Sequence, residues 1–325
     1  MAFSKFNMTF QFVIILVVMI VMWLGAFIHP VQMPVMQSGF IYQFFYNIFH
    51  GVPLLASIIA FLIIGVEGFW LNAILYNCRL VPQNTLLPML LYVVAMSSQP
   101  DTQTITPMVI TIAFSLCVLH LSLIQTEIPI LGRRELFLVS ALIAMGTMVS
   151  PLTICQLLLL VGIIFVYKLY SHQEISTCIL GFLAPYVIWG LVLFLTDQWA
   201  TTWPSIGRQY SEVSFRVGTA AWLPAFQNIF FLVIAVVSLL LCKGMRTRNL
   251  VVDDSNHILI VLLYLCALFS LLYDQVYPAN EQAFAIPFAY TASVFFYHLP
   301  NKSFWNAFFW VFIIVSVAAT FFGTV

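Results

Sequence analysis

Arg208 and Arg216 stand in the longest polar stretch of the chain, residues 197–226. A planar guanidinium grips phosphate through a two-pronged fork that no other side chain reproduces. The chemistry such a pair would serve is recognition of a phosphate or diphosphate. Trp203 and Tyr210 lie among them as candidate substrate contacts, with Trp199 and Trp222 to either side. Amphipathic rings of this kind favour the headgroup layer of a bilayer, and residues 206–218 read as a short interfacial helix. The competing reading pairs each arginine with Asp197, with Glu212 at helical spacing before Arg216, or with ordinary lipid headgroups.

Carboxylates supply the second kind of chemistry. Asp101, directly after Ser97-Ser98-Gln99-Pro100, is the best candidate for a general base. Asp197, Glu212, Asp274 and Glu281 read equally well as solvated loop charges. Glu67 interrupts the apolar run Ile64-Gly65-Val66-Glu67-Gly68-Phe69-Trp70, and His120 interrupts another. An ionisable group at that depth is expensive unless paired or protonated, so Glu67 is expected to find a partner inside the protein. A Glu67–His120 couple is what a proton-coupled transporter would use; a local carbonyl is the plainer partner for the histidine. The six cysteines, Cys78, Cys117, Cys155, Cys178, Cys242 and Cys266, fall in apolar runs or at their inner ends. That placement carries neither a disulfide framework nor a metal signature. No HExxH, phosphate-cradling glycine loop, nucleophile elbow or paired CxxC is present. No metal and no cofactor is assigned, and with no basic tract nucleic acid is not expected as a partner.

The elements that must position these groups are apolar helices. The chain is 63% hydrophobic and 7% charged over 325 residues, a composition that a water-soluble domain does not carry. It predicts a single all-α, polytopic membrane domain over residues 1–325. Runs of spanning length, roughly 20 residues or fewer where ends are covered, occur at 10–28, 52–74, 86–98, 108–126, 136–150, 152–168, 178–196, 227–242, 257–273, 282–298 and 304–323. Threading these eleven spans from an inner N-terminus leaves Lys5, Arg79, Arg133, Arg134, Lys168, Lys243, Arg246, Arg248 and Lys302 inside. Only Arg208 and Arg216 fall outside. The excess of basic residues on the inner side selects the N-in, C-out arrangement. The first run lacks a small-x-small cleavage site and reads as a helix, not a secretory signal. The third and fifth runs are short and stop at Ser/Pro clusters on the outer side. Backbone left bare there must be covered by protein or line a wet cavity, which predicts an outward-facing recess.

Several motifs carry a resemblance. They are Leu75-Tyr76-Asn77 with Leu80-Val81-Pro82-Gln83-Asn84-Thr85-Leu86-Leu87-Pro88 ahead of a short helix, Gly132-Arg133-Arg134-Glu135-Leu136-Phe137, the Ser150-Pro151 break, and Ile179-Leu180-Gly181-Phe182-Leu183-Ala184-Pro185-Tyr186. Over roughly residues 70–190 the chain resembles an uncharacterised family of bacterial multi-pass inner membrane proteins. More distantly, the architecture is similar to the GT-C superfamily of glycosyltransferases that use polyprenyl-phosphate sugars. That likeness implies an inner-membrane location, a lipid-linked glycan as substrate, membrane lipids and other membrane subunits as partners, and glycosyl transfer as the activity. Those transferases place an acid in their first outer loop, whereas residues 29–51 contain no Asp or Glu. Either Asp101 substitutes, or the chain binds without catalysing. A transporter or flippase using Glu67 and His120, and a non-catalytic subunit of a membrane complex, are the alternatives.

Overall fold

The computed structural model describes residues 3, 6–34, 40–78, 80–81, 85–98, 103–123, 131–197, 258–267, 282–298 and 303–322, with isolated positions at 199, 233 and 237. Every regular element among them is helical: α1 (Met8–Ile28), α2 (Phe40–Phe49), α3 (Pro53–Asn77), α4 (Leu87–Ser97), α5 (Pro107–Ser122), α6 (Arg133–Val149), a 3-10 turn (Pro151–Gln156), α7 (Leu157–Val166), α8 (His172–Leu195), α9 (Ile258–Ala267), α10 (Ala285–His298) and α11 (Ser303–Phe322). Of these, α1, α3 and α8 are by themselves long and apolar enough to cross a membrane.

Local chemistry fixes where helices begin. Proline opens the first turn of α3, α4, α5 and the 3-10 turn, where its fixed φ suits the helix and its missing N–H has no partner to lose. Thr106 Oγ1 also accepts from the Val109 N–H to cap α5. At α8 Ser171 and Glu174 cap each other's backbone reciprocally. This box starts the helix at His172, ahead of the apolar run expected from residue 178. After α7, Lys168 turns left-handed at φ 54. The Lys168 and Leu169 N–H groups then return to the carbonyls of Phe165 and Ile164, closing the helix end.

Helix α2 is a correction to the expected layout: ten residues of the first expected loop are helical. The remaining described segments sit within a few residues of the expected runs. The run at 227–242 lies outside the described residues apart from positions 233 and 237.

The core is built around α4. All eleven of its residues are buried, and α1, α3, α10 and α11 pack around it. Helix α10 is buried without interruption from Ala285 to Phe296. Helices apolar on every side belong inside a protein. The outer helices have two apolar faces. On α1, Ile15, Met19, Met22, Trp23 and Ala26 point inward, while Phe10, Val13, Val17, Ile20 and Leu24 are exposed. Apolar residues on both faces suit a helix placed between protein and hydrocarbon, where burial from water no longer distinguishes one side from the other. Small residues then allow close approach. A Cβ on Gly68 of α3 would come within 3.1 Å of the Tyr92 ring, and one on Gly181 of α8 within 2.6 Å of the Phe137 carbonyl on α6.

Contacts also fix helix directions. Gly181 meets Phe137 and Ser140, and Tyr186 bonds Thr147, so α6 and α8 run in parallel. Gln11 near the start of α1 meets Leu86 at the start of α4, whereas Met22 and Ser97 lie together near the ends of both. Those ends meet the beginnings of α3, α5 and α10 through Ser57, Thr106 and Gln282. Helices α1 and α4 therefore run one way, and α3, α5 and α10 run the other.

Candidate functional site at the polar end of the bundle

A helix leaves unpaired N–H groups at its start and unpaired carbonyls at its end, and α4, about 16 Å long at 1.5 Å per residue, has both ends inside the protein. Side-chain amides from distant segments satisfy them. At the start, the Leu86 N–H donates to Gln11 Oε1 at 2.7 Å, and Gln11 Nε2 donates to the Phe6 carbonyl at 2.8 Å. At the far end, Gln282 Nε2 donates to the Met96 carbonyl at 3.2 Å, and Gln103 Nε2 donates to the carbonyls of Ser97 and Met22 at 3.2 and 2.9 Å. Trp23 Nε1 donates to Ser97 Oγ at 2.8 Å, Ser57 Oγ to the Gln103 carbonyl at 2.9 Å, and Thr106 Oγ1 to Gln282 Oε1 at 3.1 Å. This is a buried polar plug at one end of the bundle.

Beside the plug lies a partly open cavity of about 40 Å³. Its wall is shared by the first turns of α5, the 3-10 turn after α6, the end of α9 and the beginning of α10. Thr111, Ser115, Thr153 and Gln156 supply its polar surface, and Met108, Ile112, Leu263 and Ile286 are among its apolar residues. Gln156 Nε2 donates to Ser115 Oγ, which donates to the Thr111 carbonyl; Thr153 Oγ1 donates to the Ser150 carbonyl. Thr111 Oγ1 is buried with no partner.

Glu67 lies deeper, on the inner face of α3, 3% exposed. Its Oε2 accepts from Tyr92 at 2.7 Å, and its Oε1 has no partner. His120 stands beside the Trp70 ring with Nδ1 unpartnered, so no hydrogen bond joins it to Glu67. Asp101, Trp203, Arg208, Tyr210 and Arg216 lie outside the described residues. Among the described residues no cluster of His, Cys, Asp or Glu is placed to hold a metal ion.

The groups that sequence reasoning passed over are amides and hydroxyls: Gln11, Gln103, Thr111, Ser115, Gln156 and Gln282. Their signal was present, since an uncharged polar side chain within an apolar run must find a partner where water is absent. Only the partner was hidden.

What fold and site define together is an all-helical protein with membrane-compatible helices, organised about a short buried helix whose ends are capped by glutamines. Compared with protein families, curated proteins and solved structures, the chain matches none.

Proposed function

We propose that this chain is a multi-pass protein of a bacterial inner membrane that takes a polyprenyl-phosphate-linked sugar into the polar end of its bundle. The supporting observation is that the end of the short helix α4 is capped inside a polar plug while the turn that follows α6 lines the cavity beside it, where lipid alone would leave such ends bare.

The threading has structural support of its own. Helix α8, parallel to α6, ends at the cavity end of the bundle, and so does α9, whose last residues line the cavity. In this reading the intervening chain returns once, through residues 227–242, and the proposed path has eleven crossings. Arg133, Arg134 and Lys168 are exposed at the opposite end, which the bias of basic residues assigns to the cytoplasm. The cavity then opens outward.

In this reading Arg208 and Arg216 hold the phosphate, and Trp203 and Tyr210 seat the headgroup. Asp101 acts as base in a GT-C-like transfer. The acceptor oxygen attacks the anomeric carbon, the bond from that carbon to the phosphate oxygen breaks, and polyprenyl phosphate leaves. The acceptor proton passes to the Asp101 carboxylate. A second reading, a transporter or flippase, draws on the buried Glu67 with one oxygen unpaired, although His120 does not complete the couple. Lipid extracted from the purified protein and examined by mass spectrometry tests the proposal. A polyprenyl phosphate or its glycoside is expected. Ordinary phospholipid alone would favour the transporter or a non-catalytic subunit.

A further inference from the structure

We infer that the cavity between α5, the 3-10 turn, α9 and α10 is a subsite for an uncharged, hydroxyl-bearing ligand, namely one edge of a sugar ring. This rests on the function proposed above and names the part of the substrate that enters the bundle.

Three observations carry it. The first is charge: among the described residues no Asp, Glu, Lys, Arg or His lines the cavity, so these walls offer an ion no counter-charge for the hydration it would lose. The second is an orphan. Thr111 is 1% exposed, and its hydroxyl, which can both donate and accept, meets no protein group. A buried hydroxyl without a partner costs free energy that a ligand hydroxyl would restore. The neighbouring Ser115, Gln156 and Thr153 already hold one another or the backbone, so their orientations are set before anything binds. The third is size. A water-sized group needs roughly 10–15 Å³, and about 40 Å³ therefore admits a few hydroxyls but not a whole ring. The apolar residues Met108, Ile112, Leu263 and Ile286 offer the C–H face of a sugar the surface it prefers.

Cys155 lines the same cavity and is half-buried, which makes it a reporter. The intact protein in nanodiscs is treated with N-ethylmaleimide at rising concentrations of glucose or N-acetylglucosamine, and labelling of each cysteine is followed by peptide mass spectrometry. Sugar should slow labelling of Cys155 while leaving Cys117, half-buried on α5 but not a cavity residue, unaffected. Thr111→Val keeps the shape and removes the hydroxyl, and should raise the sugar concentration for half-protection roughly tenfold, the worth of one buried hydrogen bond. Ser115→Ala provides a second variant should the first fail to fold.

Protection by sugar in a protein that binds no polyprenyl phosphate would keep the subsite and remove the lipid-linked substrate. Polyprenyl phosphate binding without any protection of Cys155 would overturn the subsite. Equal slowing of Cys155 and Cys117, or protection indifferent to both substitutions, would overturn it too, leaving a cavity that holds only water.

Discussion

Tyr92 of α4 donates its phenolic hydrogen to Glu67 Oε2 of α3 across 2.7 Å, between two fully or almost fully buried residues. Gly68, the next residue on α3, makes this possible, because any larger side chain there would press on the Tyr92 ring. Tyr92→Phe removes the donor to the buried Glu67 Oε2 and should cost about 1–3 kcal/mol, seen as a lower thermal midpoint in detergent. Glu67→Gln, which keeps an acceptor oxygen, should lose less. Glu67→Lys should reduce the amount of folded protein, since an ammonium there has no counter-charge. Normal accumulation of the Lys variant would contradict the burial of this position.

The glutamine caps predict a long-range dependence. Gln282→Leu leaves the Met96 carbonyl without its Gln282 donor and the hydrogen of the Thr106 hydroxyl without its acceptor, and Gln11→Leu removes the acceptor of the Leu86 N–H. Each should destabilise the protein by about 1–3 kcal/mol, and the two losses should add because they act at opposite ends of α4. Chemical or thermal unfolding of the single and double variants reads this. A neutral Gln282→Leu would mean that the end of α4 is satisfied in another way.

Packing of α6 on α8 rests on Gly181. An alanine there would place its Cβ 2.6 Å from the Phe137 carbonyl, whereas one at Gly25 on α1 would meet nothing within 4 Å. Gly181→Ala should therefore cost about 1–3 kcal/mol, while Gly25→Ala should be neutral or slightly stabilising through helix propensity. Equal effects at both positions in a thermal-shift comparison would argue against the close approach.

Orientation is tested by reporter fusions. Active alkaline phosphatase is expected after Asp197, beyond the end of α8, and inactive enzyme after Leu169, beside Lys168; a cytoplasm-active reporter should give the inverse. The reverse pattern would invert the bundle and turn the cavity toward the cytoplasm.

Most helices were legible in the sequence because long apolar runs admit few other structures, and the shortness of α4 was legible from Ser97 and the proline that follows. Helix α2 was not, since ten largely aromatic residues fall below spanning length and carry no capping motif. The beginning of α8 was set by the Ser171–Glu174 box, which polarity alone obscured. The connectivity of the polar plug was not legible. That Gln11 would cap a residue 75 positions away, and Gln282 one 186 positions away, is decided by three-dimensional packing. Glu67 was correctly expected to need a partner, but His120 sits beside Trp70 instead, and a tyrosine within an all-apolar helix took its place.

The central claim, an outward-facing site for a lipid-linked phosphate, is tested most directly by titrating a polyprenyl phosphate into the purified protein in nanodiscs. Charge-assisted hydrogen bonds are worth about 1.5–3 kcal/mol each, so Arg208→Gln with Arg216→Gln should weaken binding by something on the order of 100-fold or more. Lysine at both positions should recover only part of the loss, because an ammonium lacks the guanidinium fork. Unchanged affinity in the double Gln variant, or no binding by the unaltered protein, would contradict the account.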